Sequence, residues 1–421
     1  MNEGESPTPP GALAASASRR SFLTAVGVGT VASVGLAGRA AASTDEWVEL
    51  WELPAESPQQ APAAGDETVY VPAAGVVKAV DAETGDAAWA RPVGDTVAEA
   101  GLLVDADGVV VGTETGTLRR LRASDGETVW ERSLGAPVEG LTAVAGRTVV
   151  QTRDALVAVG AGGEEAWRAP LDASDGDAAV PPVAGAGVVV GSRGRTVAAV
   201  DAASGEPLWT DTRSEGDGVR ALAVWEDGVV VGGATTTASL TLDRGEPLWT
   251  RETGTNALAV AGSSLYAMGP DGTDALDPAS GRTERSFGVA ATPAGGLTVA
   301  EIEPHGVSVV LSGTTDGTPT LVAVEADSGT EHWRLEGRGE GFGRAALADE
   351  RLVVQDRERG VTVAHGEPPD EMEAPDATAA SDDGNGGGGL AFDRAVAVVS
   401  VLVTIAAGLV GLAQLLHDRK Q

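Results

Sequence analysis

The stretch VDAETGDAAW, residues 80–89, returns as VDAASGEPLW at 200–209 and as VEADSGTEHW at 324–333. A ten-residue phrase written three times in one chain is either a set of equivalent chemical sites or a building part used repeatedly. Aligned on a Gly followed four residues later by Trp, it recurs at Gly85/Trp89, Gly126/Trp130, Gly163/Trp167, Gly205/Trp209, Gly245/Trp249 and Gly329/Trp333. A further copy, LDPASGRTERSF, keeps Asp277 and Gly281 but puts Arg285 at the Trp position. Successive spacings of 41, 37, 42, 40, 36 and 48 residues give a period near forty. That period marks a propeller or solenoid.

The text between the copies is strand-like. Each unit has a short apolar run, a Gly/Asp turn, a second run such as GVVVGT (108–113), another turn, a third run and then the Trp segment. Val and Thr at strand spacing, with turn residues every ~8–12 positions, predict four antiparallel strands per unit. Four strands in forty residues make a propeller blade.

The phrase itself reads as a hairpin. Asp81 accepts bonds from backbone N–H groups and opens the turn, while Gly85 supplies the left-handed conformation that closes it. Asp201 with Gly205 and Asp277 with Gly281 repeat the arrangement, whereas Arg122, Thr241 and Glu325 stand at the Asp position elsewhere. A catalytic or metal-binding carboxylate would not tolerate that exchange among copies in one role. The Trp offers ~150–250 Å² of surface to bury, and its expected place is between blades. The phrase is therefore read as construction.

At this point the text resembles the pyrroloquinoline-quinone-like (PQQ-like, quinoprotein-like) β-propeller repeat, whose Asp-Ala-x-Thr/Ser-Gly-x-x-x-Trp pattern is met nearly letter for letter at 81–89 and 201–209. The resemblance covers residues 47–365 and implies a propeller whose Trp docks on the neighbouring blade. It is specific for fold and not for activity. Seven units end near 91, 132, 169, 211, 251, 287 and 335, after which 343–365 supplies three strands and no Trp strand. The missing strand is predicted at the other end, in DEWVELWELP (45–54), with Trp47 and Trp51. Joining the two ends completes an eighth blade and removes open sheet edges. The expected fold is all-β, an eight-bladed propeller of four-stranded antiparallel blades with seven blades as the fallback, occupying 43–366.

Both ends carry addresses. Arg19-Arg20, followed by Phe22-Leu23, a Gly/Ala-rich apolar run and an Ala40-x-Ala42 ending, resembles a twin-arginine export signal, so residues 1–42 are expected to be a cleaved leader. Ala395 to Leu416 carries no charge over a length sufficient to cross a bilayer as a helix. Residues 391–421 are thus expected to be a membrane helix and a short tail. Arg419 and Lys420 follow the span, while 367–390 is an acidic and Gly-rich linker with no Lys or Arg. By the positive-inside rule the tail is cytoplasmic and the propeller outside the cell membrane.

Charge and composition narrow the function classes. A formal charge of −33, from 62 acidic against 29 basic residues, repels phosphate backbones and argues against nucleic acid. Spread over the whole chain, it suits a surface soluble in very high salt, a halophilic character. The absence of cysteine removes disulfides, thiolate ligands and the vicinal Cys pair common in quinoprotein dehydrogenases of similar fold. Forty-residue blades leave little chain for the insertions that build a cofactor pocket. Asp105 and Asp107 in VDADG, and Asp271 and Asp274 in GPDGTD, read as hairpin turns and not as Ca²⁺ loops. His305, His332, His365 and His417 show no metal-ligand spacing, and GEGFG (339–343) lacks the helix and Lys of a phosphate loop.

The reading is a monomeric, non-enzymatic, membrane-anchored extracellular scaffold whose partners are other cell-surface or exported proteins, with no cofactor expected. Within the resembled family the analogue is the BamB-like propeller of outer-membrane assembly, from which this chain departs in lacking a lipidated Cys. The alternative is a quinoprotein-type redox enzyme or small-ligand sensor, with PQQ and Ca²⁺ in the axial cavity.

Overall fold

A computed structural model describes residues 48–366, apart from the short stretches 55–59, 106, 172–177, 227, 303–305 and 349–350. The expected leader with Arg19 and Arg20, the linker 367–390, the membrane helix 391–421 and Trp47 lie outside the described residues. Within them the chain forms eight four-stranded antiparallel sheets and no helix. Blades 1 to 7 follow one another at 63–92, 97–133, 138–170, 179–212, 219–251, 257–287 and 296–336. Blade 8 is two-ended: Phe342–Ala348, Arg351–Asp356 and Val361–Gly366 come from the C-terminal side, and Val48–Pro54 is the fourth, outermost strand. Pairings such as Glu49 with His365 and Glu52 with Val363 fix its register.

The strands of each blade are called a to d from the axis outward. Strand a of every blade touches strand a of the next, and Phe342–Ala348 of blade 8 touches Ala63–Ala64 of blade 1, so the ring closes at eight. The sequence pattern follows from this layering. Second strands are covered on both faces by neighbouring blades and read as largely apolar or small-residue runs: Gly108–Thr113, Val188–Arg193 (whose terminal Arg193 is ion-paired) and Gly228–Gly233 are buried at every position. Outer strands have one protected side and alternate, as in Pro207–Thr212, where Trp209 is buried between exposed neighbours.

No single core sits at the centre. The buried apolar side chains divide into eight clusters, each spanning the seam between two blades. One seam joins Val190, Val197 and Trp209 of blade 4 to Leu222, Val229, Val231 and Leu240 of blade 5. Another joins Trp51, Val353 and Ala364 of blade 8 to Val69, Val71 and Val80 of blade 1. Hydrophobic stabilisation, about 25 cal/mol per Å² of apolar surface removed from water, is thus delivered blade against blade and is complete only in a closed ring.

Candidate functional site

The recurring phrase lies in the turn between strands c and d, and each copy has two faces. Inward, it is a self-satisfied hairpin. Asp81 Oδ1 accepts the backbone N–H groups of Glu83 (3.0 Å) and Thr84 (2.8 Å) and the Thr84 hydroxyl (3.1 Å). Asp201 accepts Ala203 N–H, Ser204 N–H and the Ser204 hydroxyl in the same way, and Asp277 accepts both donors of Ser280. The hydroxyls of Ser204 and Ser280, then the backbone donors, hold the Asp201 and Asp277 carboxyls below the usual carboxylate range. The glycines four residues on have φ of +76° (Gly85), +74° (Gly205) and +67° (Gly281), and each N–H donates back to the carbonyl of that Asp.

Outward, the same turn receives the indole of the preceding blade. Trp51 Nε1–H donates to Ala82 O (2.9 Å), Trp89 to Ala123 O (2.7 Å), Trp130 to Ala161 O (2.8 Å), Trp167 to Ala202 O (3.0 Å), Trp209 to Leu242 O (2.8 Å) and Trp249 to Pro278 O (2.8 Å). In five of the six the acceptor lies three residues before the Gly of the next blade's phrase; Ala161 lies two before Gly163. The ring of the indole lies against the Gly of that phrase. A Cβ added at Gly126 would come within 2.6 Å of Trp89, at Gly163 within 2.9 Å of Trp130, at Gly205 within 2.7 Å of Trp167, and at Gly245 within 2.7 Å of Trp209. Gly281 faces Trp249 in the same manner, and Gly85 faces Trp51. Trp333 of blade 7 is buried among Leu352 and Val354 of blade 8. The residue types are therefore coupled across the seam, since Trp can seat only where the facing position has no side chain.

Blade 6, with Arg285 at the Trp position, solves the seam differently. Tyr266, on strand b and fully buried, donates its hydroxyl to Ala326 O (2.9 Å), the carbonyl that an indole would have met in blade 7. Phe287 stacks on Tyr266 with ring centroids 5.9 Å apart, and Arg285 donates to Asp327 O. Gly329 then faces Arg285 and Phe287 in place of an indole. The phrase alone did not reveal this substitution. The signal was the aromatic pair SSLYAMG and TERSF in a chain with only two Tyr and four Phe.

The positions weighed as Ca²⁺ loops hold arginines. Asp105 accepts Arg120 (2.6 Å) and caps the N–H of Asp107, and Asp274 accepts Arg251 (2.9 Å). Among the described residues no group of three His, Cys, Asp or Glu converges on one point. His332 and His365 lie on blades 7 and 8; His305 falls outside the described residues, as does His417.

The opposite face of the ring, where strand d of one blade leads into strand a of the next, carries features that no repeat phrase announces. Between blades 4 and 5, buried Arg213 clasps buried Asp217 (Nη2 to Oδ2 2.7 Å, Nε to Oδ2 3.0 Å). Burial pushes the Asp217 carboxyl up. The hydroxyl of Thr236, the N–H groups of Thr235 and Thr236, and Arg213 outweigh that and hold it well below the carboxylate range. This clasp ties the interblade connection to the b–c turn of blade 5.

The axis opens on the same face. A cavity of about 260 Å³ is lined by Arg220, Asn256, Thr292 and Arg344 among small apolar residues, including Ala257, Pro293 and Gly295. A smaller one, about 40 Å³, shares Pro293 and Arg344 and adds Glu99, Gln355 and Arg357. Nearby, Glu139 is neutralised by Arg193, whose Nη1 lies 2.7 Å from both carboxylate oxygens.

The fold is that of known proteins. The family model for the outer membrane protein assembly factor BamB matches residues 11–161, 153–303 and 274–367. The outer membrane protein assembly factor BamB of Xanthomonas campestris pv. campestris is 29% identical over 145 residues, a match spanning 31% of this chain and 35%, about a third, of that protein. Among solved structures, BamB from Moraxella catarrhalis superposes with a TM-score of 0.58 at 16% identity, covering 76% of this chain and 100% of that one. The computationally designed Ika8 protein gives 0.60 at 19% identity (75% and 98% covered), and Saccharomyces cerevisiae Sqt1 gives 0.57 at 12% identity (76% and 99%). At such identities these structures speak for the propeller fold. The family model, matched along almost the whole wheel whose seams are described above, carries the further step: this chain belongs to the BamB family of PQQ-like β-propellers.

Proposed function

We propose that the chain is a non-enzymatic protein-interaction scaffold, tethered outside the cell membrane by the apolar segment 395–416 and presenting its propeller to other surface or exported proteins. The observation that carries this reading is where the repeat spends its residues. The recurring Asp, Ser or Thr, Gly and Trp of the phrase are consumed in a turn or a seam, which directs the search for a binding surface to the non-repeating face. The relatives in the family are named as assembly factors for outer membrane proteins. That role belongs to those proteins; what is carried over here is only the use of a propeller as a binding platform.

The rival reading, a quinoprotein-type redox enzyme, fits the described residues poorly. The larger axial cavity, about 260 Å³, falls below the ~300–1,000 Å³ of pockets that bury whole small molecules. No carboxylate set among the described residues is arranged for the accompanying Ca²⁺.

The experiment is cross-linking of the full chain in its native membrane at high salt, followed by identification of the captured proteins. The scaffold reading expects a reproducible exported or membrane partner whose capture is lost when the connection face is altered. Purified chain that shows quinone absorbance and dye-linked oxidation of alcohols or sugars would overturn it.

A further inference from the structure

The axial mouth is out of character with the rest of the molecule. The chain carries 62 acidic residues against 29 basic ones, and many of the described arginines are claimed by carboxylates: Arg119 by Glu131, Arg132 by Glu165, Arg251 by Asp274, Arg334 by Glu331 and Arg359 by Glu49. Three that line the mouth are not. Arg344 stands in the wall common to both cavities, with its Nε passing over Gly296, and has no ion pair among the described residues. Arg220 has one marginal contact, to Asn256 Oδ1 at 3.5 Å. Arg357 leaves its Nε buried with no hydrogen-bond partner. Against these three guanidinium groups the lining offers one carboxylate, Glu99.

Arg220 and Arg344 are exposed, so their charge is open to a ligand, while the unpaired Arg357 Nε costs free energy as Arg119 Nη1 and Arg132 Nε do elsewhere in the ring. Guanidinium groups are suited to bidentate recognition of carboxylates. We propose that the axial mouth, built from Arg220, Arg344 and Arg357, is a receptor for an acidic segment of a partner protein, with carboxylate side chains entering the two cavities. This rests on the scaffold reading and names the chemistry of its partner. Cavity size selects the ligand. The space holds one or two side chains and not a cofactor-sized molecule. The chain's own acidic stretch, 367–390, follows strand Val361–Gly366, which runs away from the mouth and ends on the opposite face. The occupant proposed is accordingly a partner's segment, and the tail is an outcome that the test separates.

The test is titration of the full, detergent-solubilised chain with a deca-glutamate peptide. It is run in about 1 M KCl, where a Debye length of ~3 Å suppresses repulsion by the protein's overall charge. Deca-lysine and citrate serve as comparison ligands. Binding of deca-glutamate is expected, and Arg344→Gln or Arg357→Gln is expected to weaken it tenfold or more. Arg282→Gln, on an exposed turn of the opposite face, should leave it unchanged, and all variants should keep the parent melting temperature. Absence of binding, or binding indifferent to Arg344 and Arg357, overturns the proposal. So does citrate bound as tightly as the peptide, or a preference for deca-lysine. Binding seen only after the acidic residues of 367–390 are replaced would give the site to the chain's own tail and also overturns it. A partner captured in native membranes by a surface other than the mouth would leave the scaffold reading standing while this assignment fell.

Discussion

Replacing Gly205 by Ala tests the seam with a single methyl group. Gly205 sits at φ +74°, and a Cβ there would come within 2.7 Å of Trp167 Cδ2. Gly187, in the a–b turn of the same blade, sits at φ +78°, and a methyl group there would meet nothing within 4 Å. An L-residue in the left-handed region costs about 1–2 kcal/mol at either position, so that cost cancels in the comparison. What remains at Gly205 is the overlap with a rigid indole whose N–H is already committed to Ala202 O. Such overpacking costs about 1–3 kcal/mol. Gly187→Ala should therefore destabilise by about 1–2 kcal/mol and Gly205→Ala by about 2–5 kcal/mol. Thermal unfolding of the two purified variants reads the gap, at roughly 1–2 °C per kcal/mol for a domain of this size. Equal melting temperatures would mean that the turn glycine serves its own backbone only and that the indole does not seat on it.

Other expectations follow from the remaining seams and the closing blade. Tyr266→Phe removes the hydroxyl that replaces an indole at the blade 6–7 seam and should cost about 1–3 kcal/mol by leaving Ala326 O unpaired; a neutral effect in denaturant titration would remove Tyr266 from that role. Trp51→Ala, at the closure of blade 8 on blade 1, should cost about 3–5 kcal/mol, as large buried aromatics do, and a loss under ~1 kcal/mol would show the closing seam to be dispensable. Burial lowers the pKa of His365 from 6.5 to about 4, against the pull of Glu49, so the folded state holds the neutral imidazole. The unfolded chain then takes up the proton first, and stability falls as pH drops through 6.5 toward 4, by about 2 kcal/mol between pH 7 and 5. His365→Gln should flatten that slope above the range in which carboxylates titrate, and an unchanged slope would contradict the assignment.

Much of this architecture was legible because a propeller writes its structure locally. The Asp-x-x-x-Gly-x-x-x-Trp phrase is short, and both the hairpin and the docking residue lie within it, so the period and the blade limits could be read directly. The units expected to end near 91, 169 and 335 end at 92, 170 and 336. The two-ended eighth blade was legible for a related reason, since DEWVELWELP carried a Trp strand without companions and 343–365 carried companions without a Trp strand. The replacement at the blade 6–7 seam was not legible. There the donor moved from strand d to Tyr266 on strand b, and only the packed blades bring that hydroxyl to Ala326. The axial mouth was hidden for the same cause. Arg220 and Arg344 on strands a of blades 5 and 8, and Arg357 in the b–c turn of blade 8, belong to three stretches with no shared phrase and line neighbouring cavities only once the blades are packed into a ring.

The ring closing on itself is what the whole account requires, and the cysteine-free chain allows a direct reading of it. Glu49 and His365 are register partners on the outer strands of blade 8, within the separation that a disulfide spans. Mild oxidation of the double variant Glu49→Cys/His365→Cys, followed by non-reducing electrophoresis, should give a compact intramolecular species in nearly all of the folded protein and little of it in urea. A double variant that stays open, or that links only between two chains, would contradict a wheel of eight blades fastened by its own N-terminal strand.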